Sequence, residues 1–387
     1  MPTLCDAKLS RVVSGPLATD CTDVMLPFLN IAGRRVADDA PAFVIAEIGV
    51  NHDGRRDTAL RLVEAAWEAG ADAVKLQLFR ADSLVHASGG LAAYQKDSGE
   101  QSPAAMLRRL ELSEADVADV VAAVRAAGMV PLATPFSPED VRQIRDLNLP
   151  AVKLASPDLV NPLLIDAASD LSVPMLLSTG AATADEIEDA VCRLCRRGID
   201  RFALLHCVSA YPTPDREAEI GRVRKLADRY ECVVGLSDHT QNLLAGAIGV
   251  SNGARIVEKH LTHDRSAKGP DHSASASPSE FTAYVGRIRE TEALLGIDRV
   301  AGERDVGAHE LDVRVQSRQS LVARRAIKAG QPISRDLLTC QRPGTGIPAA
   351  SVERVCQLTA LRDIPAGALV DWSDLQQAPL ATPVFAA

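Results

Sequence analysis

Eight short apolar runs recur through the first three quarters of the chain, and each is followed by a stretch whose apolar residues return with helical period. They are FVIAEIG (43–49), AVKLQLF (73–79), VPLATPF (130–136), AVKLAS (151–156), PMLLSTG (174–180), FALLHCV (202–208), CVVGLSD (232–238) and ARIVEKHLT (254–262). Rich in Val, Ile, Leu and Phe with little polar alternation, they read as strands buried on both faces. Eight such units predict an α/β fold, a (β/α)8 TIM barrel, in which the carboxyl ends of the strands converge on one face where reacting groups gather. Those ends carry Glu47, Lys75, Gln77, Thr134, Lys153, Ser156, Ser178, His206, Ser237, His239, Glu258 and His260.

The flanking helices have legible ends. SEADVADVVAAVRAAG places Ser113 as N-cap and Gly128 at its close, TADEIEDAVCRLCRRG runs from Thr183 to Gly198, and SPSEFTAYVGRIRETEALLG has a proline in its first turn. Before the first run, LNIAGRRV and the approach to FVIAEIG predict a β-hairpin closing the amino end of the barrel. Residues 1–25 show no period and read as an extension. The barrel is expected over 26–295, a linker mixing charge and glycine over 296–316, and a small β-rich domain over 317–387. Within that last part, SLVARRAIKAGQPISRDLLTC and TALRDIPAGALVDWSDLQQ share an apolar strand, an Ile before a Gly, and a one-turn helix ending in DL, a weak internal repeat.

Composition changes this picture little. The 387 residues exceed the roughly 250 of a single barrel, which is why a second domain is expected. No apolar run approaches the ~18 residues of a membrane span, and the start of the chain lacks the basic then apolar pattern of a signal peptide. A cytoplasmic protein is expected, one with reduced thiols despite its eight cysteines. The Cys192–Cys195 pair falls in a helical segment with no second pair, so it reads as part of a helix. A net charge of −9 excludes broad attraction to nucleic acid or anionic membranes; an anionic substrate would need a local basic pocket.

The strand ends supply one. Lys75 and Gln77 are two apart on one strand and share a face, and Lys153 adds a second ammonium with Thr134, Ser156, Ser178 and Ser237 around it. Two lysines and a ring of hydroxyls describe a site for a small phosphate or carboxylate, or else structural ion pairs with Glu47 or Asp158. His239 and His260 end the seventh and eighth runs, so their imidazoles can meet. Two histidines with a carboxylate or substrate oxygens suit Mn, Zn or Fe better than Ca; the alternative is a satisfied polar cluster. NHDG (51–54) is a tight turn from which Asn51 and His52 could reach a substrate, and KGPDHSAS (268–275) offers Asp271 to a sugar hydroxyl.

Read in order, AEIGVNHDG, KLQLF, MLRRLELSEADV, ATPFS, KLASPD, LLSTGAA, LLHCVSAYPTP, GLSDHT, VEKHLT, GPDHSASASP and RPGTGI resemble the sialic acid synthase family, phosphoenolpyruvate-condensing enzymes, over residues 28–387. The carboxyl-terminal part resembles that family's SAF, or antifreeze-like, domain. The resemblance implies metal ligands at His239 and His260, holding Mn2+ or, in its place, Mg2+ or Co2+. It implies phosphoenolpyruvate contacts at Lys75, Thr134, Lys153, Ser156, Ser178 and Ser237, and acceptor sugar contacts at Gln77, Tyr211 and Asp271. Glu47 would lie near the reacting centre with Lys75 and Lys153, Asp158 would be a further acidic residue, and Arg342 would reach the partner subunit's site in a domain-exchanged homodimer. The chain departs from the family at Leu76 and Leu78, at Arg318-Gln319 where paired arginines are usual, and at Ala276, near Asp271, where Leu is usual.

The function expected is condensation of phosphoenolpyruvate with an N-acylated mannosamine-type aldose. Two rivals stand beside it: a related synthase acting on a sugar phosphate, against which RPGTGI speaks, and a silent sugar or phosphate sensor, which would have no use for the histidine pair.

Overall fold

The computed structural model describes residues 27–86, 102–297 and 306–377, so the expected extension at 1–25 lies outside the described residues. The chain divides into two compact units, Met1–Ala301 and Gly302–Ala387.

The first unit opens with an antiparallel hairpin of β1 (Leu29–Ile31) and β2 (Arg34–Val36). Both of its strands come from LNIAGRRV; the following run, FVIAEIG, belongs wholly to the barrel. Eight parallel strands then close on themselves: β3 (Phe43–Gly49), β4 (Ala73–Leu78), β5 (Val130–Pro135), β6 (Val152–Leu154), β7 (Met175–Ser178), β8 (Phe202–Cys207), β9 (Val233–Asp238) and β10 (Ile256–His260). Closure is made by β10 against β3, from Ile256 opposite Phe43 to His260 opposite Glu47.

Alternation along these strands separates two cores. One set of side chains, including Val44, Ala46, Val74, Leu154 and Val257, packs outward on the helices. The other set fills the lumen, and it changes character along the barrel axis. At the amino end Phe43, Ile45, Val130, Leu132, Leu176 and Ile256 meet Leu29, Ile31 and Val36 of the hairpin in a dry layer. One or two alternations further, the same faces present Glu47, Lys75, Gln77, Thr134, Lys153, Ser178, Ser237 and Glu258. The hairpin thus plugs the end away from the chemistry, as its sequence position implies.

Around the strands run α1 (Arg56–Glu68), α2 (Ala81–Leu84), α3 (Pro103–Leu110), α4 (Glu114–Ala126), α5 (Pro138–Asp146), α6 (Pro162–Ser169), α7 (Ala184–Arg196), α8 (Arg222–Tyr230), α9 (Ala245–Ser251) and α10 (Pro278–Leu295). Ser113, Thr183 and Ser277 cap α4, α7 and α10, each accepting from the backbone N–H three residues on, and the last two form reciprocal boxes with Glu186 and Glu280. Cys192 and Cys195 sit half-buried on α7 as expected. Among the described residues, no helix is long and apolar enough to cross a membrane.

The second unit begins with α11 (Ala308–Ser317), a helix in the stretch expected to be a linker. Its glycine and charge content hid it, and none of its residues is buried. Two antiparallel pairs follow, β11 (Ser320–Ala323) with β12 (Leu338–Gln341), and β13 (Leu358–Ala360) with β14 (Leu375–Gln377); α12 (Val352–Val355) lies between them. The repeat seen in the sequence is structural. Ile327 and Ile364, equivalent residues of its two halves, exchange backbone hydrogen bonds of 2.9 and 2.8 Å, and a 3-10 turn precedes β12 and β14 alike. Leu321, Ile327, Leu337, Ile347, Ile364 and Val370 form the centre of its own small core.

Candidate active site

At the carboxyl end of the strands a cavity of about 340 Å³ opens in the first unit. It brings together, from eleven separate positions, most of the residues that the sequence singled out: Lys75, Gln77, Thr134, Lys153, Ser156, Ser178, Tyr211, Ser237, His239, His260 and Asp271.

Its floor is ionic. Lys75 Nζ lies 2.6 Å from Glu47 Oε2, donates to Thr134 Oγ1 at 2.9 Å and stands 3.6 Å from Glu258 Oε1. Lys153 Nζ donates to Ser178 Oγ at 2.6 Å and to the Leu154 carbonyl at 3.1 Å, with Glu258 Oε2 at 3.9 Å. Burial opposes charge on all four groups, and neighbours decide the outcome. It pushes Lys153 below the ordinary lysine range and Glu47 above the carboxylate range. Glu258 and Glu47 overcome it at Lys75, which is held above its usual value, and the two lysines overcome it at Glu258, which is held below. Glu258 and Glu47 thus hold the positive charge of Lys75 at the floor of the cavity.

Glu258 lines the cavity, although sequence reasoning named it at its strand end without giving it a role. It touches both lysines and accepts from Ser237 Oγ at 3.2 Å, while Oε2 makes no hydrogen bond. The signal was present, since Glu258 precedes His260 by two and strand alternation puts both in the lumen, as it does Lys75 and Gln77. Cys207 lines the cavity by the same rule, its sulfur 3.7 Å from His239 Nδ1. His206, one residue earlier, faces out of the cavity and contacts the Ala218 carbonyl at 2.8 Å.

The histidines meet as expected. Their ring centroids are 5.3 Å apart, and Tyr211 lies 4.2 Å from the His239 ring. His239 Nδ1 contacts the Val208 carbonyl at 2.8 Å, which fixes the ring and leaves Nε2 for other partners. Burial opposes protonation of His239 and the Cys207 thiol favours it, with the balance above the usual value. Burial and then His239 push His260 well below the imidazole range, so it is neutral. Its Nδ1 is buried, makes no hydrogen bond and lies 3.5 Å from Asp271 Oδ2. Desolvation raises the Asp271 carboxyl to about 6. An orphaned imidazole nitrogen beside a second imidazole fits a divalent cation, although among the described residues no three protein donors converge on one point. Oxygens of substrate or water would have to complete such a shell.

Other expectations are placed elsewhere. Glu47 lies behind the cavity wall, fully buried, and meets the site through Lys75 and through Gln77 Nε2, which donates to its Oε1 at 2.9 Å. Asp158 is outside the lining and accepts from Asn161 Nδ2 at 3.2 Å. Arg342 is exposed in the second unit. Asn51 is spent on the Leu261 carbonyl and Ser275 Oγ, at 2.9 and 2.8 Å, and does not line the cavity. Ala276 faces the helix-side core and pairs through its backbone with Leu261, so it does not touch a ligand beside Asp271.

Two outcomes follow from the end of β3 and the turn after it. Gly49 has φ +22°, and a Cβ there would strike Glu47 Oε1 and Gln77; Gly49→Ala is expected to lower stability by about 1–3 kcal/mol, read from denaturant midpoints. His52 is pushed down to about 4, by burial against the pull of Asp53. The unfolded chain therefore takes up a proton first on acidification, so the stability His52 contributes is whole above pH 6.5 and is lost between 6.5 and 4. Its size is up to about 3 kcal/mol, and His52→Gln is expected to flatten the stability profile in that window.

The barrel carries two buried lysines on the cavity floor and a histidine pair beside them, and comparison with known proteins identifies it as an enzyme of the sialic-acid-synthase type. The NeuB family model matches residues 62–299 and the SAF domain model residues 318–376. The chain belongs to the NeuB family. It is 34% identical over 340 residues to N,N'-diacetyllegionaminic acid synthase of Legionella pneumophila, covering 86% of this chain and 94% of that one. It is 30% identical over 346 residues to pseudaminic acid synthase of Campylobacter jejuni, covering 87% and 98%. Among solved structures, a sialic acid synthetase from Leptospira borgpetersenii superposes with a TM-score of 0.66 at 28% identity, covering 74% and 95%.

Proposed function

We propose that this chain condenses phosphoenolpyruvate with an open-chain N-acylated aldose of mannosamine type, giving a nine-carbon ulosonic acid and phosphate. The observation that carries this is the adjacency, in one cavity, of an anion-receiving floor and a paired-imidazole wall. Lys75, Lys153, Thr134, Ser156, Ser178 and Ser237 receive the phosphate and carboxylate. Gln77, Tyr211 and Asp271 orient the aldose. A divalent cation held by His239 and His260, Mn2+ or Mg2+ or Co2+ in its place, would polarise the aldehyde oxygen as a Lewis acid. The enol carbon bonds to the aldehyde carbon, water adds to the resulting cationic centre, and the tetrahedral intermediate expels phosphate. Glu47 acts from behind, setting the charge of Lys75 and the orientation of Gln77.

The far wall bears on the acceptor. Leu84, Val85, Met106, Leu107 and Leu110 of α2, α3 and the residue after α2 are apolar, and among the described lining residues the only cations are Lys75 and Lys153. This apolar wall suits the acyl groups of an acylated aldose, and the legionaminic and pseudaminic acid synthases among its relatives point to a diacylated deoxy sugar. The test is phosphate release on mixing phosphoenolpyruvate with N-acetylmannosamine, its 6-phosphate, or either diacylated deoxy sugar. No release with any of them overturns the enzyme reading and returns the sensor; preference for the 6-phosphate overturns the acceptor.

The active form we propose is a cytoplasmic homodimer in which Arg342 serves the partner's site. Mixing Arg342→Ala with Lys153→Ala chains is then expected to restore part of the activity, since a hybrid dimer retains one intact site. Verified mixed dimers without activity would remove Arg342 from that role.

A further inference from the structure

The outward side of β9 and β10 packs on apolar side chains except where Asp238 and Lys259 stand. Their side chains are 1% and 2% exposed, and Lys259 Nζ donates to Asp238 Oδ2 at 2.9 Å. The ammonium also donates to the Thr240 carbonyl at 2.7 Å and lies 5.0 Å from the Tyr284 ring centroid of α10. Asp238 Oδ1 in turn accepts from Thr240 N–H at 2.8 Å. Space for the Tyr284 ring is left by Gly246 of α9, where a Cβ would come within 2.6 Å of it. None of Asp238, Thr240, Lys259 and Tyr284 lines the cavity.

Strand alternation makes this cluster the reverse side of the histidine pair. His239 sits between Asp238 and Thr240, and His260 follows Lys259, so one ammonium holds the carboxylate before the first histidine and the backbone carbonyl after it, and adjoins the second. The carbonyl of His239 is held as well, accepting from Thr213 N–H at 2.9 Å. Stability does not account for such a pair. Desolvating two charges costs about what their attraction returns, and packed apolar residues of similar volume often serve as well or better. What the pair supplies beyond them is direction, through donors and acceptors of fixed geometry.

We propose that Asp238 and Lys259 are positioning residues, a clamp that fixes residues 238–240 against β10 so that both imidazoles address one divalent cation. The inference rests on the metal reading proposed above. It separates folding from metal binding, and the test uses that separation. Mn2+ is titrated calorimetrically into the full-length chain stripped of metal, and thermal unfolding is followed without metal. The double variant Asp238→Leu/Lys259→Met is expected to unfold within a few degrees of wild type yet bind Mn2+ at least tenfold more weakly. Asp238→Asn, nearly isosteric, is expected to weaken Mn2+ severalfold. Phosphoenolpyruvate binding without metal is expected to change less than twofold in both, because both its lysines lie on β4 and β6 and only Ser237 among its contacts adjoins the clamp.

Wild-type Mn2+ affinity in either folded variant overturns the clamp while leaving the metal reading intact. Failure of both variants to fold overturns it too, since the pair would then be a stability element. A wild-type chain that binds no Mn2+ sinks the metal reading and the clamp with it.

Discussion

Lys75→Met is expected to lower the stability of the barrel by about 3–5 kcal/mol, the usual cost of removing one partner from a buried ion pair. Glu47 is wholly buried and has Lys75 as its nearest cation, at 2.6 Å, with only the Gln77 amide besides among the described residues. Without the ammonium, Glu47 must take up a proton or remain as an uncompensated charge in the lumen. Lys153→Met leaves behind Glu258, which retains Lys75 and Ser237, so its expected cost is smaller. The two lysines therefore report on different things. Lys153 is the better probe of phosphoenolpyruvate binding, and Lys153→Ala is expected to raise the KM for phosphoenolpyruvate far more than that for the aldose. Urea unfolding of both Met variants checks the order; equal stabilities would mean that Glu47 finds another cation.

His260→Ala is expected to reduce turnover by at least about 100-fold, equivalent to roughly 2.7 kcal/mol of barrier, and excess chelator should do the same to wild type. The reasoning is geometric. His260 Nδ1 is buried without a hydrogen bond 5.3 Å, ring to ring, from His239, so the structure holds an imidazole in place at the expense of its own hydrogen bonding. Wild type is expected to recover when Mn2+ is restored, while the variant is not. Full turnover in excess chelator would make the pair a polar cluster and shift the chemistry to Asp271 and Tyr211.

The barrel was legible because its strands are buried on both faces and their apolar runs are continuous. Glu258 was named at its strand end but given no role, and Cys207 was passed over, although alternation from His260 and from Leu205 puts both in the lumen; His239 and His260 were found because a pair of imidazoles carries its own chemical signal. Helix ends at Ser113, Thr183 and Ser277 were readable from capping chemistry alone. α11 was not, because a helix without a buried face leaves no periodic apolar signal. The resemblance placed Glu47 near the reacting centre; that it stands one layer behind depends on Lys75 and Gln77 extending past it, which no spacing encodes. The clamp at Asp238 and Lys259 was invisible for a related reason. Charged residues beside two histidines read as more of the same site until the pleat turns them the other way.

The exchange of hydrogen bonds between Ile327 and Ile364 has a consequence for how the second unit is held together. Each half presents to the other the surface that it would present to a copy of itself, as two subunits do across a two-fold axis. Carried on separate chains, such halves would pair only as far as their concentration drove them. Joined by the segment through RPGTGI, they meet at an effective concentration fixed by the length of that connection, so their pairing no longer depends on how much protein the cell contains.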